Sequence, residues 1–392
     1  MKKRMLIINL LAIFILVCCT PVTATIPPIN QPTLQLTAIP TTKDPILPTQ
    51  VPSTQDVVLI KPYQDVRSQN VPALNANINL GEPLIETLWF NQATLWSDQD
   101  QPIAQNILKL GMNPGMGVRD LHAEGITGKG VNVAIIDQPL ALDHPEYQGK
   151  IIKYIDVGTN FLNEGLGLMH GPAVTSLLVG ENIGTAPGAK VYFFAAPSWF
   201  LDAQYYADAL DWIIAENEKL PAEGKIRVIS VSAAPSGIWS PFTKNNDAYN
   251  QAYQRATDAG ILVLDATFEH GMTSRCKYDL NDPDNVAKCI PEYLGPFDCP
   301  NKRIYIPTSR RSMATGGSKE TNFSYQYTGQ GGDSWSVPYL AGVLAMGWQV
   351  NPDLTNSQLL DMLYASAYVN NDKKLIIDPK AFIDQVRLTI SK

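Results

Sequence analysis

The sequence predicts an α/β fold in which a mainly parallel sheet is covered on both faces by helices. Three observations carry this: from Asn113 onward short apolar runs alternate with amphipathic stretches, the runs are rich in β-branched and aromatic residues, and the stretches between them have helical period and length. Strand, helix, strand, helix in succession implies right-handed crossovers and strands buried on both sides. Ligands of such sheets bind beyond the carboxyl ends of the strands.

The strands come in order. Val131–Ile136 (VNVAII) is the first apolar run, and it ends directly on Asp137. Lys190–Phe194, Arg227–Ser232 and Ile261–Leu264 follow as further buried strands, while residues 171–179, 203–219 and 248–259 read as helices. Ser334 begins a mostly apolar run that reaches Trp348, which is read as a buried helix.

Upstream of Asn113 the character of the chain changes. Residues 1–19 have a signal peptide's layout, with Lys2, Lys3 and Arg4 ahead of an apolar run from Leu6 to Val17 that is too short to be a comfortable membrane-spanning helix. Leu16-Val-Cys-Cys19 resembles the lipobox of bacterial lipoproteins, in which the last Cys, here Cys19, is lipidated after cleavage; Cys18 stands where that motif normally has a small residue. Cleavage near Val22-Thr-Ala24 is the other reading, and it gives a freely secreted protein. Residues 20–55 are rich in Pro and Thr, with Lys43 and Asp44 as the charges, and read as a linker that holds a folded domain clear of a membrane surface. Residues 56–112, with Trp89, Phe90 and Trp96, read as an N-terminal extension or prosegment, and residues 113–392 as the main domain.

Composition is that of an ordinary globular protein, 45% hydrophobic and 17% charged. The formal charge is −7, and loss of the three basic leader residues takes it to −10, which argues against a nucleic-acid partner. Cys276, Cys289 and Cys299 fall within one short stretch; in an oxidising compartment one disulfide among them is expected, with the pairing open. A zinc site is the sharper alternative, and it lacks the CxxC spacing that would support it.

Three segments carry chemistry when read together. Gly128-Lys-Gly-Val-Asn-Val-Ala-Ile-Ile-Asp137 ends a strand on an acid, His170-Gly-Pro-Ala-Val-Thr-Ser176 opens a helix on an imidazole, and Gly331-Gly-Asp-Ser334-Trp-Ser-Val-Pro338 opens a helix on a hydroxyl. Singly, each has a plain structural explanation as a turn residue, a packed histidine or a helix cap. Together, and in that order, they resemble the signature blocks of the subtilases, over roughly residues 113–386. The resemblance implies a subtilisin-like three-layer fold and a serine endopeptidase: Ser334 as nucleophile, His170 as general base and Asp137 orienting the imidazole. His122 and His144 are read as bystanders.

The resemblance also implies positions for substrate binding and for the oxyanion. Ser232, Ala233, Ala234 and Gly237 occupy the segment that would pair with an extended peptide, where small side chains leave room for a strand. Subtilases use an Asn as side-chain oxyanion donor; in Gly260-Ile-Leu-Val-Leu-Asp-Ala-Thr-Phe-Glu-His-Gly271 the matching residue is Glu269, with Thr267 or His270 on a small shift. An ionised Glu269 would repel an oxyanion, so it could serve only when protonated. Asp333 replaces the family's usual Thr, and Gln138-Pro139 its Thr-Gly. These departures keep a second function class in view: a catalytically impaired subtilisin fold that binds peptides or regulates another protease. Calcium commonly stabilises the family, yet no ligand cluster stands out here, so no metal or cofactor is expected. The expected partners are a polypeptide substrate and, through Cys19, a membrane; the protein is read as an extracytoplasmic monomer.

Overall fold

A computed structural model describes residues 60–74, 79–159, 169–292, 302–316 and 324–390. The leader, Cys19, the Pro/Thr-rich linker and Cys299 lie outside the described residues. No helix among the described residues is long and apolar enough to cross a membrane.

The central sheet is five-stranded and wholly parallel, in the spatial order Ile151–Asp156, Lys190–Ala195, Asn132–Asp137, Ile226–Val231, Leu262–Asp265. Alternate residues face opposite layers, as the pleat requires. Val133, Ile135, Val191, Phe193 and Val228 bury against the helices His170–Val179 and Asp333–Val350. Ala134, Ile136, Phe194, Ile229 and Val231 bury against Gln204–Lys219 and Asn246–Asp258. The fold is therefore a three-layer α/β fold. Its first strand in sequence is the middle strand in space, with crossovers to both sides, so the order reverses beside it and leaves a crevice at the carboxyl ends.

All four anticipated strands and the three helices between them start and end within a residue or two of the periodicity reading; the edge strand Ile151–Asp156 was not anticipated, because its burial is only partial and its Lys153 and Asp156 break the apolar run. Pro338 lies beyond the first turn of its helix, so it withholds the N–H that would otherwise reach the Ser334 carbonyl.

Two further sheets flank the core. One orders Tyr368–Val369, Leu375–Ile376, Ile304–Ser309, Thr273–Lys277 and Ile290–Pro291, and a disulfide joins Cys276 to Cys289 within it. The other places Trp89–Asn91 antiparallel to Ser324–Thr328, which pairs in turn with Arg311–Thr315. Residues upstream of Asn113 are thus built into the same unit: Phe90 packs edge-on against Trp96 at 5.2 Å and against Tyr327 at 5.0 Å, and Glu86 pairs with Arg310 at 2.7 Å.

Candidate active site

Asp137 is the last residue of the middle strand, and hydrogen bonding on both sides of that strand fixes its position. His170 opens its helix, and the helix is held against the strand end by Gly171, where a β-carbon would lie 2.0 Å from the Gln138 carbonyl oxygen. The result is a direct contact between His170 Nδ1 and Asp137 Oδ1 at 2.7 Å, with the carboxylate side chain only 3% exposed. Asp137 Oδ1 also accepts the Gln138 N–H at 2.8 Å. Burial opposes a charge on the imidazole, but the adjoining carboxylate and its hydrogen bond outweigh that, and the pKa of His170 is raised. The outer face of the ring lies against Trp335, with centroids 5.2 Å apart.

Ser334 is the second residue of the Asp333–Val350 helix, where free backbone N–H groups and the helix dipole favour negative charge. The approach to it is tightly anchored: a β-carbon on Gly331 would meet the Thr308 carbonyl oxygen at 2.1 Å, Gly331 N–H donates to Ser309 Oγ at 2.7 Å, and Arg275 Nη1 donates to the Gly331 carbonyl at 2.8 Å. Ser334, His170 and Asp137 line one cavity of about 650 Å³. The Ser334 hydroxyl donates to the Ser232 carbonyl at 3.1 Å.

Ser232, Ala233 and Ala234 line the same cavity, as the small-residue reading anticipates. Gly237 is not among its lining residues; it has a positive φ of 86° and stands against the carboxyl of Glu269. The two residues read as oxyanion donors need correction. Glu269 is not among the cavity's lining residues, and its Oε1 accepts the Ile238 N–H at 2.8 Å, so the carboxyl is engaged with the backbone of the neighbouring loop. Thr267 is fully buried, with its hydroxyl donating to Asp265 at 2.7 Å and accepting from His270 N–H at 3.0 Å. His270 pairs with Asp265 at 3.4 Å and stacks on Tyr253. The buried Asp265 carboxylate gathers this segment around itself, so the segment's side chains serve the turn.

Ala266, Phe268 and Arg303 form the wall on that side. Leu201, Ile238, Trp239 and Phe242 form an apolar lip of the same cavity. Sequence reading singled out none of these; the run Gly237-Ile-Trp-Ser-Pro-Phe242, apolar residues directly after the small-residue segment, is the signal that could have found the lip. Arg303 carried no such signal. Among the bystander histidines, His122 Nε2 contacts the Thr185 carbonyl at 2.8 Å and His144 is buried and stacked on Tyr147. Among the described residues no cluster of three or more His, Cys, Asp or Glu is gathered as a metal ion would require.

Such an arrangement can do acyl transfer. An imidazole held by a carboxylate shares a cleft with a hydroxyl at a helix N-terminus, which are the parts needed to make a nucleophile, accept its proton and stabilise an oxyanion.

Comparisons with known proteins bear on the family and the fold. The model of the subtilase family (Peptidase_S8) matches residues 128–381. Subtilisin E of Bacillus subtilis (strain 168) is 26% identical over 268 residues, covering 64% of this chain and 64% of its own length. Subtilisin of Bacillus pumilus is 25% identical over 263 residues, covering 63% of this chain and 87% of its own. The chain thus spans just under two thirds of the length of the first of these relatives. Among solved structures, the prenylagaramide maturation protease PagA superposes with a TM-score of 0.51 at 17% identity, over 69% of this chain and 98% of its own. Fervidolysin from Fervidobacterium pennivorans, a keratinolytic enzyme, gives 0.50 at 16%, over 70% and 45%. The two structures speak for the fold alone.

Proposed function

Because the chain belongs to the subtilase family, we propose that it is a serine endopeptidase that cleaves polypeptides through an acyl-enzyme on Ser334. His170 takes the hydroxyl proton as Ser334 Oγ attacks the peptide carbonyl, then delivers it to the leaving amine; water repeats the sequence to release the acid. Asp137 fixes the imidazole tautomer and stabilises the imidazolium. The observation that carries the reading is the 2.7 Å contact between His170 Nδ1 and Asp137 Oδ1 in the cavity that Ser334 also lines. The oxyanion is assigned to backbone N–H groups at the start of the Ser334 helix, since the side chain that subtilases use has no counterpart in Glu269 or Thr267. Losing one such donor costs about 10²–10³ in kcat, which leaves a slow enzyme rather than an inert one.

One observation favours a second reading, a catalytically impaired fold that binds peptides. The Ser334 hydroxyl donates its hydrogen bond to the Ser232 carbonyl, so the nucleophile must rotate before the imidazole can serve it. Labelling with a fluorophosphonate probe separates the two. Label on the wild type that disappears in Ser334→Ala and falls in His170→Ala supports the peptidase; an unlabelled wild type supports the impaired fold. For location, the reading is an exported protein tethered through a lipidated Cys19 with residues 20–55 as a stalk, to be tested by mass spectrometry of the processed N-terminus.

A further inference from the structure

We infer that Arg303 makes the cleft selective for an acidic side chain, so that the residue whose carbonyl Ser334 attacks is aspartate or glutamate. The inference rests on the peptidase reading above and names the substrate class for that site.

Charge in the cavity is sparse. Besides the coupled Asp137 and His170, its charged lining residues are Asp333 and Arg303. Asp333 has its own cation, Arg275, whose Nε lies 3.6 Å from Oδ1. Arg303 is held differently: Nη1 donates to the Thr273 carbonyl at 2.8 Å, and Nη2 to the carbonyls of Thr267 at 3.2 Å and Phe268 at 3.0 Å. Those acceptors are neutral, so they fix the guanidinium without cancelling its charge. Nε is buried and has no hydrogen-bond partner among the described residues. On the cavity lining, Arg303 is thus the charged side chain whose hydrogen bonds all go to neutral acceptors.

The position of that charge selects the substrate residue. Arg303 grips the backbone of Thr267 and Phe268, so it belongs to the wall that Ala266 and Phe268 present to the cavity. It also acts electrostatically on Asp333, the neighbour of the nucleophile. Because this wall and Ser334 line one cavity and Arg303 acts on the residue next to the nucleophile, we assign a side chain lying along it to the residue at the scissile carbonyl. A cation beside alanine and phenylalanine is poorly screened, and a carboxylate there gains charge-assisted hydrogen bonding that a carboxamide of the same shape does not.

The test uses the full-length protein and quenched peptides that differ only at the cleaved residue: Glu, Gln, Asp, Leu or Lys. The wild type should cleave Glu and Asp peptides roughly 10–100-fold better than Gln in kcat/KM, with the advantage shrinking as salt rises. Arg303→Gln should bring Glu and Gln to the same value, and Arg303→Lys should keep part of the difference. Equal cleavage of Glu and Gln by the wild type overturns the inference, as does a Glu-to-Gln ratio unchanged in Arg303→Gln. If the variant fails to fold, the wild-type ratio and its salt dependence still decide. Failure of the peptidase reading looks different: no peptide is cleaved and Ser334 takes no label. Binding of the uncleaved peptides then decides, with Glu bound more tightly than Gln supporting the acidic site and equal binding refuting it.

Discussion

A β-carbon on Gly171 would lie 2.0 Å from the carbonyl oxygen of Gln138. The helix that presents His170 and the strand end that presents Asp137 are therefore in backbone contact one residue beyond each functional side chain, and the 2.7 Å bond between them depends on it. Gly171→Ala should push helix and strand apart while leaving the sheet intact. The expected result is a loss on the order of 10² in kcat/KM, with unchanged far-ultraviolet circular dichroism; near-wild-type activity would show that the contact is not what positions the imidazole.

The pH profile should carry the mark of the same pair. His170 must be neutral to accept a proton, and its pKa is raised because the adjoining Asp137 outweighs the opposing effect of burial. Activity should therefore fall on the acid side with a limb above the ordinary imidazole value of 6.5. Asp137→Asn removes the raising influence, so the limb should move down while kcat falls by about 10⁴. A limb that stays in place would separate the titration from this carboxylate.

Asp265 and His270 make a prediction about stability. The hydrogen-bonding carboxylate of Asp265 raises the His270 pKa, burial opposes this, and the charges of Asp265 and Glu269 add to the rise. A folded-state value above the unfolded one means the pair's stabilisation is complete below about pH 6.5 and is lost as pH climbs through the folded value. Urea unfolding of wild type and His270→Ala should differ most at about pH 5.5 and least at about pH 9. A difference that grows with pH contradicts this assignment.

The disulfide between Cys276 and Cys289 closes a short loop, with 13 residues of sequence separation, next to Arg275. Replacing both by Ser should cost about 3 kcal/mol in unfolding free energy, mostly by freeing the unfolded chain. If Arg275 loses its hold on Gly331, fluorophosphonate labelling should slow as well; stability unchanged in the double variant would argue against the bond as a staple.

Residues 60–112 should remain with the active protein. Trp89–Asn91 is a sheet strand, and Phe90 is 2% exposed between Trp96 and Tyr327. Phe90→Ala should cost about 3–5 kcal/mol, and N-terminal sequencing of the labelled enzyme should find these residues still attached. Removal of residues 20–55 should leave labelling unchanged; a labelled product that begins near Asn113 would instead mark the segment as a discarded prosegment.

Much of this protein was readable from the chain alone. Apolar runs of strand length separated by helical stretches determine a parallel α/β sheet, because each pattern has only one way to bury its apolar face. Asp137, His170 and Ser334 were singled out by the resemblance of three segments to the subtilase blocks; a strand end or a helix start is a local property of sequence, but it does not by itself mark chemistry. What only the tertiary structure decided lies between segments far apart in the chain. Ser334 bonds to Ser232, Glu269 turns to Ile238, and Arg303 reaches back to Thr267, Phe268 and Thr273. No period or motif records where a side chain points once its turn has closed around a buried carboxylate. The partner it meets is set by packing and by the cost of leaving a polar group unpaired, and both are paid out in three dimensions.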